Sequence, residues 1–469
     1  VYKIPGKISQ FKVFFIRDIL SKLANTQYML INFLEAPLLA IILSYMVKFY
    51  STESGPDSEY VFRYNENLTA YLFMSVVVAL FLGLTVSAEE IIRDQKILKR
   101  ERFLNLSKSS YLISKVTIMF IISAIQTFTY VIIGNTILDI QGLNFDYWMI
   151  LFVTSCFANM LGLNISSAFD SVVTIYILIP IILIPQLLLS GVIVKFDKLN
   201  PTLASQTTVP MAGELMTSRW AFEALAVNQF KENEFEKEYY PINKVISHIS
   251  YKKNYWIKEL NKNLEFCEKH FGKPEKAEES KNKWQLIRTE LAKKDAQTSY
   301  EKPYQKNAPR LPENPTLPAI SETDKYLKTL LDFYINLNKH YTQVKSDLIN
   351  SKNKTDIDEK EFKAFRDKYQ NENLCDLVVN KTESQKIIEC DGELFQKTDP
   401  VYRESKSFRS HFFAPVKRVC GMPLDTFWAN ILTIATMTLI LYVSLYFDLF
   451  RKAIEGIGNL ASLINKSKK

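Results

Sequence analysis

The chain is poor in the residues that most catalytic sites need. It has 13 glycines, four histidines and five cysteines in 469 residues. Nowhere does it show a glycine-rich phosphate loop with its Lys and Ser or Thr, an HExxH pair or a GxSxG elbow. Such loops need backbone without a Cβ close to phosphate, so the low glycine count by itself argues against a nucleotide cradle. His248, His270, His340 and His411 are scattered and no CxxC occurs, which leaves a zinc site without its ligand spacing. The apolar runs carry no cluster of Asp, Glu and His apart from the single Glu35, so a proton relay lacks its parts. Aromatic and basic residues do not interleave, and a net charge of +8 is modest for this length; both argue against nucleic acid. No catalytic residue, metal site or cofactor site is expected in this chain.

What the sequence does have is long apolar runs. The mean hydropathy of −0.05 averages two populations, one apolar and one highly charged. A membrane span needs about 20 mostly apolar residues. Six windows qualify: Met29 to Val47, Thr69 to Ala88, Tyr111 to Leu138, Tyr147 to Ala168, Val172 to Val194 and Phe427 to Phe447. The predicted fold class is therefore an all-α polytopic membrane protein, with six transmembrane helices, an inner-surface amphipathic helix and a large, mainly helical external domain. Residues 1–27 form the amphipathic connecting helix. Residues 28–196 hold the first five spans, with a cytoplasmic turn at 87–110. Residues 197–425 are external and include an insertion at 231–409, residues 426–450 are the sixth span, and residues 451–469 are a cytoplasmic tail. Lys and Arg crowd the turn and the tail whereas the loops at 51–67 and 139–146 are acidic, which puts both ends inside the cell (inner) membrane. The chain begins at Val1 without a Met, and an upstream segment is expected.

The turn at 87–110 is the most informative cytoplasmic stretch. Under its charges runs an apolar period of Ile91, Ile92, Ile97, Leu98, Phe103, Leu104 and Leu106, so the turn can press against something. Ile8, Phe11, Phe15, Ile19 and Leu23 recur at helical spacing near the start, as in a helix lying along the inner membrane surface. Glu35, close to that end of the first span, is expected to meet a Lys or Arg of this helix.

In the external region, Trp256, Leu260, Leu264, Cys267 and Phe271 read as one helix, with a second near Trp284 to Leu291. Pro303, Pro309, Pro312, Pro315 and Pro318 predict an extended stretch. After it, Ser321 and Asp324 are read as the cap of a long helix carrying Leu327, Leu330 and Tyr334. Cys375 and Cys390, flanked by strand-like Leu377 to Val379 and Lys386 to Ile388, are candidates for a disulfide contributing about 3 kcal/mol. Cys267 with Cys420 is a second possible pair.

Several stretches together are similar to a known family. Arg100, Glu101 and Arg102 followed by Tyr111, the run Leu161 to Ser166, and PQLLLSGVIV at Pro185 to Val194 resemble elements of the permease domain of G-type ABC exporters. The most specific match is SRWAFEALAVNQF, Ser218 to Phe230. It is similar to the element that follows the family's fifth span, through Arg219, Trp220, Glu223, Asn228 and Phe230; Trp220 replaces a Tyr and Gln229 an acid. The resemblance covers about residues 5 to 230 and 410 to 452 and leaves the insertion unexplained. It implies a homodimer or pseudo-dimer in the lipid, paired with an ATP-binding cassette domain, on the same polypeptide or a separate subunit, that binds ATP and Mg. It also implies that the basic turn, through Glu89, Glu90, Arg100, Glu101, Arg102 and Tyr111, couples hydrolysis to alternating access. The substrate cavity would be walled by Phe73, Met74, Phe81, Leu187 and Leu188, which suits an apolar or amphipathic cargo. A permease for surface polysaccharide or peptide, and a non-transporting scaffold whose insertion binds an external partner, are the alternatives.

Overall fold

The computed structural model describes residues 5–50, 60–101, 107–293, 308–352, 356–405 and 407–456, the side chains of 96–99, 101 and 356 excepted. Seven helices open the chain: α1 Lys7–Ala24, α2 Thr26–Val47, α3 Leu68–Ser87, α4 Glu90–Glu101, α5 Lys108–Leu138, α6 Asn144–Ala168 and α7 Val172–Leu188. A motif helix, Thr217–Lys231, and a closing helix, Thr426–Tyr446, complete the apolar body. Asn25 breaks the chain between α1 and α2, and its side chain accepts the Tyr28 backbone N–H at 3.1 Å, capping α2.

Five helices among the described residues are long and apolar enough to cross a membrane: α2, α3, α5, α6 and the closing helix. The window expected at Val172 to Val194 is shorter, because α7 ends at Leu188. The chain then reverses at Gly191, whose φ is +81° and where a Cβ would come within 2.4 Å of the Phe196 ring. Only glycine fits a left-handed turn pressed on a ring.

Helix α6 sits at the centre, with 78% of its apolar window buried against 22% for α2. Small residues let its neighbour α3 approach closely. A Cβ on Gly83 would lie 2.5 Å from the Ser155 carbonyl, and one on Gly162 would lie 2.1 Å from Ser87 Oγ. Where lipid is as apolar as the side chains, such close backbone contact is what holds spans together. On α2 the outward residues, among them Leu30, Leu34, Leu38 and Ile42, are exposed, as a lipid-facing helix requires.

The insertion has a core of its own, built from Trp256, Leu260, Leu264, Cys267, Trp284, Ile287, Leu327 and Tyr334. Helices Glu236–Tyr251, Ile257–Lys269, Ala277–Ala292 and Leu317–Lys352 supply most of it. The long helix starts at Leu317 rather than after Ser321. Ile320 N–H already bonds the Thr316 carbonyl at 2.9 Å, and Pro318 lies in the first turn, where no N–H is needed. Pro303 lies outside the described residues.

Two antiparallel hairpins follow, Ile387–Cys390 with Glu393–Gln396 and Val416–Val419 with Met422–Asp425. Leu377 and Val378, expected as strand, belong to the helix Glu372–Val378. The expected disulfide is not formed. Cys375 and Cys390 are free, since one packs from that helix against the apolar body and the other sits on the first hairpin beside Asp391. Cys267, buried in the insertion core, donates to the Ser280 carbonyl, while Cys420 is exposed.

The insertion is fastened to the apolar body just ahead of α3. Arg63 pairs with Asp367 and Glu372. Asn371 Nδ2 donates to the carbonyls of Phe62 at 2.9 Å and Asn65 at 2.8 Å.

Candidate functional site

Two polar clusters stand out in an otherwise apolar body, and they lie on different elements. The first is a junction between α1, α4 and α5. Lys115, only 4% exposed, reaches Asp18 of α1 at 2.6 Å and, on α4, Asp94 at 2.9 Å and Glu90 at 3.1 Å. Lys22 reaches the other Glu90 oxygen at 2.5 Å. Tyr111 donates its hydroxyl to Asp94 at 3.1 Å, and its ring meets Phe14 edge-on. Two lysines thus serve three carboxylates, the five groups coming from three helices. Buried ions removed from water are tolerable only when paired this closely.

The same end is tied to α6 and α7. Ser166, at the close of α6, accepts the backbone N–H groups of Ile91 and Ile92, each at 3.1 Å. It thereby satisfies two of the otherwise orphan donors at the start of α4. Tyr176 of α7 donates to Glu89 at 2.6 Å, and Glu89 also pairs with Arg93. Gln10 of α1 accepts the Ser107 N–H at 2.8 Å just before α5, and Lys108 pairs with Asp448 beyond the closing helix. Movement of α4 would therefore pull on α1, α5, α6 and α7 together.

Sequence expectations fare unevenly here. Glu89, Glu90 and Tyr111 are in the junction. Arg100 is exposed, while Arg102 and the Glu101 side chain lie outside the described residues. Lys115, read as a membrane-flanking charge, is buried instead. In helix α1 it is Gln10, Phe14, Asp18 and Lys22, one turn apart, that line the inside; of the expected stripe Phe11, Phe15 and Ile19 are half-buried, and Ile8 and Leu23 are exposed. Asp18 and Lys22 find partners within the protein, while Phe15 and Ile19 pack against α3 and α5. Glu35 is half-buried and, among the described residues, has no ion pair; Lys22, which could have met it, is held by Glu90.

The second cluster is a clamp on the motif helix, joined by the second hairpin and by Asn430 near the start of the closing helix. Glu223, Arg219, Lys417 and Asn430 are all fully buried. One Glu223 oxygen accepts from Lys417 at 2.5 Å and from Asn430 at 3.0 Å, and lies 3.3 Å from Arg219. The other accepts the Phe413 N–H at 3.1 Å. Arg219 and Lys417 both lie over the Trp220 ring, at 3.9 and 4.2 Å from its centre, and Arg219 also reaches Glu214 at 3.2 Å.

Burial works against the Glu223 charge, but Arg219 and Lys417 outweigh it and hold the carboxyl below its usual range. Burial and the Arg219 charge push Lys417 down to about 7 despite Glu223. Glu223 is thus the firm charge of the group and Lys417 its loosely held proton. The motif helix, the second hairpin and the closing helix meet on this one carboxylate. Elsewhere on the motif, Asn228 donates to Asp146 at 2.9 Å and Phe230 packs edge-on to Tyr402. Nothing in the sequence singled out Lys417 or Asn430, which lie more than 190 residues from Glu223.

Of the expected cavity wall, Met74, Phe81 and Leu188 are exposed. Met74 and Phe81, seven residues apart on α3, share one face. Leu187 is half-buried. Phe73 turns inward and meets Phe222 edge-on at 5.9 Å, so it is not on that face.

No group of His, Cys, Asp and Glu suited to a metal ion occurs among the described residues. No curated protein matches the chain. The family profile of ABC-2 type transporters matches residues 9–230, from α1 through the motif helix and including every residue of the junction. Over those residues the chain is similar to ABC-2 type transporters, and its long apolar helices make it an integral membrane protein.

Proposed function

We propose that this permease is the membrane half of a G-type exporter that moves an apolar or amphipathic substrate outward by alternating access in a dimer. The observation that carries the reading is the buried junction: α4 is capped by α6 and charge-paired to α1 and α5. A helix held this way acts as a lever, since a push on it has to rearrange discrete ion pairs and cannot be absorbed by gradual bending. An ATP-binding cassette domain with ATP and Mg supplies the push. Met74 and Phe81 share an exposed apolar face of α3 and Leu188 of α7 is exposed as well; such surface suits a greasy cargo better than a charged polymer, which would want a polar, wet path. In this reading the ends of the chain are cytoplasmic and the insertion is external, as the charge bias of the loops favours.

The test is ATP hydrolysis and export by the complete transporter in lipid nanodiscs, with Glu90→Gln beside it. Glu90→Gln should leave ATP binding intact and uncouple hydrolysis from transport. Unchanged coupling would remove the lever, and ATP turnover that moves no cargo would favour the scaffold reading. A specific feature keeps that second reading alive: the insertion has a hydrophobic core separate from the membrane body, as a partner-binding module would.

A further inference from the structure

A cavity of about 490 Å³ opens in the external part, within the range of about 300–1,000 Å³ usual for small-molecule sites. Its walls come from the helix Glu236–Tyr251, the strand Glu393–Gln396 and residues 402–405, 407 and 409–411, with Thr207 and Thr208 also lining it. The cavity therefore lies where the insertion meets the chain that follows α7. Tyr251, Trp256, Phe395 and Tyr402 give it flat apolar surface.

The polar groups of the wall are unevenly matched. Lys244 pairs with Glu404, and Lys293 pairs with Glu290 at 2.5 Å and Glu393 at 2.9 Å. Glu290 is further used by Trp256 Nε1 at 2.9 Å and the Leu394 N–H at 2.7 Å. The acids of the wall are thus engaged. Arg403 donates to the Gln396 carbonyl at 2.6 Å, and no carboxylate among the described residues pairs with it. Burial pushes its pKa down only to about 10, so it keeps its charge at neutral pH. Arg409, at the rim, donates to the Val209 carbonyl at 3.3 Å. The Ser410 hydroxyl is buried, with 1% exposure for the residue, and has no hydrogen-bond partner. A half-buried guanidinium without an acid among the described residues and a buried hydroxyl without a partner are both costly unless something else satisfies them. Guanidinium groups are well suited to carboxylate, sulfate and phosphate oxygens.

We propose that this cavity is a binding site for a water-borne organic anion, whose carboxylate, sulfate or phosphate ester meets Arg403, Arg409 and Ser410 and whose apolar body lies against the aromatic wall. The segment that forms this wall runs directly to Phe413, whose N–H is held by Glu223. An occupant therefore braces the insertion against the motif helix. The site stands apart from the transport reading, and its test uses no ATP.

The experiment is calorimetric titration of the full chain in phosphatidylcholine nanodiscs with naphthyl phosphate, naphthol and inorganic phosphate, with empty discs as blank. Naphthyl phosphate should bind at a single saturable site, and naphthol and inorganic phosphate should each bind at least about tenfold more weakly, the loss expected when one charged or apolar half of the contact is missing. Arg403→Gln should weaken the ester by at least about tenfold. Ser407→Glu, on the exposed rim, adds a repelling charge where folding is not at risk and should weaken it as well, while leaving naphthol unchanged. Equal binding of ester and naphthol, equal binding of ester and inorganic phosphate, or full affinity in Ser407→Glu would each overturn the proposal. Displacement of the ester by phosphatidylglycerol in the disc would overturn the assignment to a water-borne solute.

Discussion

Lys115 is the residue whose removal should do most damage for its size. Its ammonium is buried and lies within 3.1 Å of three carboxylates; Lys22 backs Glu90 at 2.5 Å but Asp18 only at 3.8 Å. Lys115→Met keeps a long flexible side chain of similar volume, so packing is nearly preserved and the loss is electrostatic. Breaking a buried pair by deleting one partner costs about 3–5 kcal/mol, because the other charge is stranded. Here Asp94 loses the one ion pair it has among the described residues and Asp18 keeps only Lys22 at 3.8 Å, so the upper end of that range is expected.

The assay is denaturant titration in mixed micelles followed by tryptophan fluorescence, with ATPase coupling measured in parallel. Lys12→Met is the control, because Lys12 is exposed on the same end of the protein and such sites usually change stability by less than about 0.5 kcal/mol. Adding Glu90→Gln to Lys115→Met should recover part of the loss, since the neutral amide leaves Lys22 free to serve Asp18, 3.8 Å away. If Lys115→Met is no worse than Lys12→Met, the junction is not a closed charge network and the lever argument fails with it.

The clamp makes a pH prediction. Lys417 is pushed down to about 7 in the folded protein, below its unfolded value of about 10.4. The unfolded state therefore binds more protons between these values, and stability should rise with pH there, by less than about 1.4 kcal/mol per unit. Lys417→Met should flatten that rise in a denaturation series from neutral to alkaline pH. Gly83→Val should disrupt the body more than Gly162→Ala: the first meets a backbone carbonyl at 2.5 Å, the second a serine hydroxyl that can rotate. Overpacking of the first kind costs about 1–3 kcal/mol or more, read as lost expression or lowered melting temperature. Phe81→Ala, on an exposed face, should alter transport selectivity in vesicles with little change in melting. Reductant should leave melting unchanged, and Cys420 should be alkylated in the folded protein well before Cys267, since no disulfide links the cysteines and only Cys420 is exposed.

Windows near 20 apolar residues are legible because hydrocarbon thickness sets their length, so α2, α3, α5, α6 and the closing helix start and stop within a few residues of expectation. The junction was only half legible. Glu90 and Tyr111 sit in the stretch that any charge reading singles out, yet their partners Asp18, Lys22 and Lys115 look in sequence like ordinary flanking charges. Burial separates a flanking lysine from a network lysine, and burial depends on which helices pack together. The motif helix shows the same divide: Glu223 was picked out by resemblance, whereas Lys417 and Asn430 join it from a hairpin and a helix nearly two hundred residues away. Local propensity misled at Leu377 and Val378, where β-branched and apolar residues were drawn into a helix by packing against the apolar body.

Sequence by itself thus determined that this is a helical membrane protein, where five of its apolar helices lie, and which stretches resemble a transporter family. These depend on the length and polarity of continuous runs, which the chain carries in order. Tertiary structure decided which charges are buried together, which face of α1 turns inward, that the cysteines stay free, and that an arginine with no acid partner among the described residues lines a cavity beside the insertion. Each of those depends on residues far apart in the chain being brought to within a few ångströms, a distance that no local pattern records.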